Sequence, residues 1–176
     1  MKSGTRILVA FLLGVATIPL LLLLAAWRGL LPVSATAQPP KWEEKLADVA
    51  LDATLYSSAK RLTVPVASND QTLLAGLRVY RNNCAGCHGD YRAPSSWGSK
   101  NYYPRAPQFS ERPPHRPVPE MFLAIKHGIR YSGMGAWDGM MPDENIWKVA
   151  LFLGHLGSLP PEVDSKWRHP PQGAGG

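Results

Sequence analysis

The chain has 176 residues, a formal net charge of +6 and a sequence pI of about 9.5, and 45% of its residues are hydrophobic. This length suits one ordinary domain with short additional segments. The basic residues are scattered and form no run, which argues against nucleic-acid binding and favours acidic surfaces or anionic headgroups. The only two cysteines, Cys84 and Cys87, are too few for a disulfide-stapled scaffold or a four-cysteine zinc site.

An apolar segment near the N-terminus, residues 7–27, follows Lys2 and Arg6 and contains no charge. About 20 apolar residues are needed for a helix to cross a bilayer, so residues 1–30 are predicted to be a membrane anchor. The two basic residues predict an inside N-terminus, with the rest of the chain outside the cytoplasmic membrane. A cleaved signal sequence is the alternative, because residues 35–37 (Ala-Thr-Ala) offer a cleavage site after Ala37.

Residues 31–70 are predicted to be a linker followed by a membrane-proximal helix. Several prolines punctuate the linker. Apolar residues then recur at helical spacing over residues 42–60. This helix is expected to pack on the next domain, with binding of a partner as the alternative.

Residues 71–158 are predicted to form the main domain, with three helices. The first covers residues 71–83 behind a cap at Asn69 or Asp70, the second residues 119–126 and the third residues 143–156. The long irregular stretch at residues 89–119 needs something to wrap around. No β-strand is predicted, and the tail at residues 159–176 is expected to be flexible.

Residues 84–88 (Cys-Ala-Gly-Cys-His) have the C-x-x-C-H spacing of covalent haem attachment. Two thiols one helical turn apart can add to two vinyl groups on one porphyrin edge, and His88 can then bind the iron. A redox-active C-x-x-C is the alternative, but it would require a βαβ pattern. We therefore expect one covalently attached haem c, held through Cys84 and Cys87.

Several residues are candidates for the second axial ligand. Methionine opposite histidine raises the reduction potential of a haem. Met134 lies between two glycines, which allow the backbone to approach the ring closely. Spacing alone leaves other candidates open: Met140, Met141, His115, His127, His155 and His169.

These motifs resemble the class I cytochrome c family in its small bacterial, membrane-anchored form. Residues 74–80 and 84–89 are similar to the family's first helix and haem motif. Residues 126–137 are similar to the segment with its distal methionine, and residues 143–153 to its final helix. The resemblance implies an all-α cytochrome c fold, with three to four helices wrapped around one haem, next to the N-terminal transmembrane helix. Residues 1–70 lie outside the resemblance.

The resemblance also implies roles for single residues. Met134 takes the place of the distal methionine, although Gly135 stands where the family often has proline, so Met140 and Met141 stay open. Pro107 takes the place of the proline whose carbonyl accepts the proximal imidazole N–H. Three residues are implied where the first and last helices cross: Gly76, Tyr80 and Trp147.

The function implied is electron transfer by a single His/Met-ligated haem c. The chain is expected to shuttle or relay electrons on the periplasmic side, between membrane complexes of respiration or photosynthesis. A quinol-oxidising complex and a terminal oxidase are the expected kinds of partner, and no small-molecule substrate is expected. Two alternatives are a peroxidase-like haem enzyme with an open iron site and a haem-bearing structural subunit of a larger complex.

The positive side chains around the haem motif have two interpretations. They form a basic rim that steers the protein toward acidic partners, or they are ordinary solubilising charge. The Tyr and Arg side chains of residues 102–105 are candidates for bonding haem propionates. The rim candidates are Arg78, Arg81, Arg92, Lys100, Arg105, Lys126 and Arg130.

Overall fold

The computed structural model describes residues 3–170, and this part of the chain is helical and contains no β-strand. This confirms the all-α prediction. The chain divides into two compact units, Met1–Ser34 and Ala35–Gly176. The helices, in chain order, are α1 (Ser3–Trp27), α2 (Lys41–Ala59), α3 (Asp70–Asn83), α4 (Ala85–His88), α5 (Val118–His127), α6 (Asp143–His155) and α7 (Pro161–Arg168).

Helix α1 has the length and composition of a membrane-crossing helix. It has 25 residues, and its mean hydropathy reaches 2.9. At 1.5 Å per residue it is roughly 37 Å long, more than the hydrocarbon core of about 30 Å. None of its residues is buried. The helix is therefore compatible with the predicted membrane anchor.

Helix α2 packs on the main domain through one face, as predicted. Leu55 and Ala59 are buried where α2 contacts α5. Asp52 forms an ion pair with Arg116, just before α5. The other face carries apolar side chains that remain exposed: Trp42, Leu46, Val49 and Tyr56.

Helices α3 and α6 cross at Gly76 and form the centre of the core. A side chain at Gly76 would overlap the carbonyl of Lys148 and come within 2.9 Å of Phe152 Cβ, so only glycine permits this approach. Tyr80, fully buried, packs its ring against Phe152 with 5.6 Å between centroids. The roles implied for Gly76 and Tyr80 are therefore confirmed. Trp147 is buried in α6 and stacks on Phe122 of α5 with ring centroids 3.9 Å apart, and its implied role at the crossing stays a prediction.

Helix α7 corrects the expectation of a flexible tail from residue 159. Val163 and Trp167 are buried against the core. They lie four residues apart, on the same face of a short amphipathic helix that begins at Pro161. The Trp167 ring lies 5.8 Å from that of Tyr80. The remainder of the predicted tail, residues 171–176, lies outside the described residues.

The boundaries of α2, α3, α5 and α6 follow the predictions to within two residues. Helix α3 begins after Asn69, whose side chain accepts a hydrogen bond from the Thr72 backbone N–H at 2.9 Å, so Asn69 is the cap. Helix α5 ends at Gly128, whose positive φ of 68° favours glycine. Between α4 and α5 lies the irregular stretch that we expected to surround a prosthetic group.

Candidate haem site

The C-x-x-C-H segment lies directly after α3 and forms its own short helix. Cys84 is both the C-cap of α3 and the N-cap of α4. Its N–H bonds the Tyr80 carbonyl at 2.7 Å, and its carbonyl accepts from His88 N at 2.9 Å. Because α3 is fixed in the core, the motif has a rigid base. Tyr80 adds to this by donating its hydroxyl to the carbonyl of Gly89 at 2.6 Å.

His88 is oriented by the residue that the resemblance implied. Its Nδ1 lies 2.9 Å from the Pro107 carbonyl oxygen. A carbonyl only accepts, so Nδ1 carries the proton and Nε2 is left with its lone pair. Burial lowers the pKa of His88, while the bond to Pro107 acts in the opposite direction. The imidazole is therefore neutral at pH 7, the state in which it can bind a metal.

The Phe109 ring fixes the plane of His88. The two rings are stacked with centroids 4.5 Å apart and planes 3° from parallel. The backbone N–H of Phe109 also donates to the His88 carbonyl at 3.0 Å. Pro107 and Phe109 thus orient His88 together. The resemblance implied the role of Pro107, whereas no distinctive local pattern marks Phe109.

Two polar side chains of the irregular stretch hold the backbone of the motif. Gln108 Nε2 donates to the Cys87 carbonyl at 3.0 Å, and Ser95 Oγ donates to the Gly86 carbonyl at 2.5 Å. Gln108 Oε1 in turn accepts from Ser95 N at 2.7 Å. Gly98 lies so close to Cys87 that a side chain there would overlap the Cys87 carbonyl. No local pattern predicts the roles of these residues, because their partners are distant in the chain.

The two thiols are unpaired and partly buried. Burial, with a smaller contribution from Cys87, raises the pKa of the Cys84 thiol to about 12. Cys84 is therefore protonated at neutral pH. Two free thiols beside an imidazole with an available Nε2 are the donor set that covalent haem requires, so these residues fit that group.

The structure distinguishes among the methionines by their surroundings. Met134 is half-buried and packs against the core cluster, and its carbonyl accepts from Ile129 N at 3.0 Å. Met140 is 78% exposed, which is poorly suited to a ligand in a dry pocket. Met141 is also half-buried against the core, so burial does not separate it from Met134. Met121 is buried inside the core.

The Tyr102 side chain lies between the loop that carries Met134 and the haem motif. The Tyr102 ring fills the space beside Gly133, where an added side chain would overlap it. The Tyr102 hydroxyl lies 3.7 Å from Cys87 Sγ. Tyr102 is therefore a neighbour of both Gly133, which precedes the candidate ligand Met134, and Cys87 of the attachment motif.

Three of the seven proposed rim residues have partners of their own. Arg81 pairs with Asp90, and Lys126 pairs with Asp143 at 2.7 Å. Arg105 donates to the backbone carbonyls of Thr36 and Lys100. These contacts stabilise the fold. Four candidates have no ion pair within the described residues: Arg78, Arg92, Lys100 and Arg130.

The helical core around a C-x-x-C-H segment is that of a c-type cytochrome domain, which implies covalently bound haem c and haem-based electron transfer. Residues 71–153 match the sequence family described as "Cytochrome C oxidase, cbb3-type, subunit III". The match spans just under half of the 176 residues, from α3 to most of α6, and confirms the resemblance to class I cytochromes c. No curated protein and no solved structure matches the chain significantly.

Proposed function

We propose that this chain is a membrane-anchored electron relay with one haem c, attached through Cys84 and Cys87. The observation that carries the proposal is the state of His88. Its Nδ1–H is held by Pro107, so Nε2 remains available beside two free thiols. A haem c bound there supplies a one-electron iron(III)/iron(II) couple.

We assign His88 and Met134 as the two axial ligands. A haem c held by an imidazole and a thioether would have a high reduction potential. With both ligand positions filled by the chain, its iron would have no position open to a substrate. This supports an electron carrier over the peroxidase-like alternative. Pro107 and Phe109 hold the imidazole still, so little rearrangement accompanies a change of charge.

We further propose that α1 is retained in the cytoplasmic membrane and that the haem domain faces the periplasm. Lys2 and Arg6, which precede the apolar segment at residues 7–27, support this orientation. An anchored carrier is confined near membrane complexes, which raises its effective concentration for a quinol-oxidising donor and a terminal acceptor.

A second candidate is a fixed subunit of a terminal oxidase. The description of the matching family names an oxidase subunit, which favours this role over free shuttling. The two candidates share the same haem site and differ in whether the chain leaves its complex.

The test uses the full chain, expressed with export and haem-attachment machinery and purified in mild detergent. We expect added haem mass, reversible one-electron reduction and no carbon monoxide binding to the reduced protein at neutral pH. The Cys84→Ser/Cys87→Ser double variant is the control and should lack covalent haem. Carbon monoxide binding by the wild type would contradict the relay and favour an enzyme. Stable co-purification with an oxidase would decide for the fixed subunit.

A further inference from the structure

Tyr102 occupies a position that the haem attachment itself does not explain. It lies in the irregular stretch between α4 and α5, 15 residues from Cys87 in sequence. Its ring packs against Gly133, next to the proposed ligand Met134. Its hydroxyl reaches Cys87 Sγ at 3.7 Å, a distance compatible with a hydrogen bond to sulfur.

A neighbouring indole determines the direction in which this hydroxyl donates. Trp97 Nε1 donates to Tyr102 Oη at 3.0 Å, and the two rings meet edge to face at 89°. An indole N–H only donates, so the Tyr102 oxygen is the acceptor in this pair. The single hydroxyl hydrogen is then free to point at the Cys87 sulfur.

Attachment of haem leaves only one possible direction for the hydrogen bond between Tyr102 and Cys87. The proposed function turns Cys87 into a thioether, which has no S–H and accepts hydrogen bonds only weakly. Tyr102 is then the only possible donor of the pair. The positive end of its O–H dipole faces a sulfur covalently joined to the porphyrin, and hydrogen bonds to such groups tune the iron.

We propose that Tyr102 is a positioning residue that raises the reduction potential of the haem through the Cys87 sulfur and supports the Met134 loop through Gly133. This inference rests on the proposed attachment of haem at Cys87. A donor dipole directed at the sulfur favours the reduced state, which carries one more electron. The ring, by filling the space beside Gly133, restrains the loop that presents Met134.

The chain offers a matched control for the hydroxyl. Tyr103 is the adjacent residue, but its hydroxyl bonds Glu43 of α2 and not the haem motif. Tyr102→Phe and Tyr103→Phe each remove one hydroxyl and keep the ring. Trp97→Phe removes the N–H that orients the Tyr102 hydroxyl and keeps an aromatic ring.

The experiment is redox titration of the purified full-length holoprotein, together with its methionine-to-iron absorption band. We expect Tyr102→Phe to shift the midpoint potential downward with the band retained, and Trp97→Phe to shift it in the same direction by less. Tyr103→Phe should match the wild type. Gly133→Ala, which displaces the ring, should weaken the band or lower the temperature at which it is lost.

Two results would overturn the role of Tyr102. One is an unchanged potential in both Tyr102→Phe and Trp97→Phe, and the other is an equal shift in Tyr103→Phe. If Tyr102→Phe fails to fold, the midpoint potentials of Trp97→Phe and Tyr103→Phe still test the role of the Tyr102 hydroxyl. Failure of the proposed function is separate, because the wild type itself would then lack thioether-bound haem or the methionine band.

Discussion

At the scale of single residues, the site depends on atoms that orient other atoms. The Pro107 carbonyl accepts a hydrogen bond from His88 Nδ1, and the Phe109 ring lies parallel to the imidazole with centroids 4.5 Å apart. Gln108 and Ser95 hold the carbonyls of the attachment motif. The bond to the Cys87 carbonyl is partly buried, and a buried carbonyl left unsatisfied costs about 1–3 kcal/mol.

The identity of the distal ligand is the first prediction at this scale. Met134→Ala should abolish the weak methionine-to-iron band of the oxidised protein, because no thioether replaces it at the same position. Met140→Ala and Met141→Ala serve as controls and should keep the band. A band that persists in Met134→Ala and disappears in Met141→Ala would transfer the assignment to Met141.

Arg81 bonds one carboxylate and two backbone carbonyls. Its guanidinium bonds Asp90 at 2.8 Å and the carbonyls of Lys166 and Trp167 at 3.1 and 2.9 Å. Both side chains of the ion pair are nearly buried, at 12% and 11% exposure. Arg81→Leu should therefore destabilise the domain by about 3–5 kcal/mol, because a carboxylate stays behind without its partner.

This prediction is measured by denaturant unfolding of the holoprotein. The matched control is Arg78→Leu, an exposed arginine one turn earlier on α3. The control should change the free energy of unfolding by no more than about 0.5 kcal/mol. Equal effects of the two variants would contradict a special role for Arg81.

At the scale of helices, the crossing of α3 and α6 determines where the haem motif is placed. Gly76→Ala forces a methyl group into the Lys148 carbonyl and toward Phe152. We expect the free energy of unfolding to fall by about 1–3 kcal/mol or more, because both neighbours belong to a packed helix that cannot move away easily. Gly157→Ala is the control, because nothing lies within 4 Å of its added atom. A neutral Gly76→Ala in thermal unfolding would show that the helices cross less closely.

Helix α7 contributes a second packing surface to α3. Trp167 is 5% exposed and its ring contacts those of Tyr80, Tyr91 and Phe152. Trp167→Ala should lower the free energy of unfolding by about 3–5 kcal/mol through the cavity it leaves. Lys166→Ala, at an exposed neighbouring position, should be close to neutral in the same urea titration. An unaffected Trp167→Ala would mean that α7 does not dock stably.

At the scale of the whole molecule, processing of the N-terminus decides whether the protein is anchored. Retention of α1 leaves the Thr36 carbonyl available to accept from Arg105 at 2.9 Å, whereas cleavage after Ala37 would remove that contact. We expect the mature protein to have the mass of the uncleaved chain plus haem and to stay in membranes after an alkaline carbonate wash. A mature N-terminus at Gln38 in a soluble fraction would contradict this.

The sequence by itself determined the features that depend on local spacing. The C-x-x-C-H motif, the apolar length of α1 and the helical periodicity around α3, α5 and α6 are all properties of neighbouring residues. Haem c and the all-α class followed from them, and both are confirmed. Local pattern also identified Asn69 as one of two cap candidates, since a cap needs only the next three residues.

Only the tertiary structure decided the features that join distant residues. Phe109 stacks on His88, Tyr102 reaches both Cys87 and Gly133, and α7 is ordered because Trp167 packs on α3. We expected a flexible tail because local composition records no long-range contact. Burial against a surface built from other parts of the chain outweighs weak local propensity, and this surface exists only once the chain has folded.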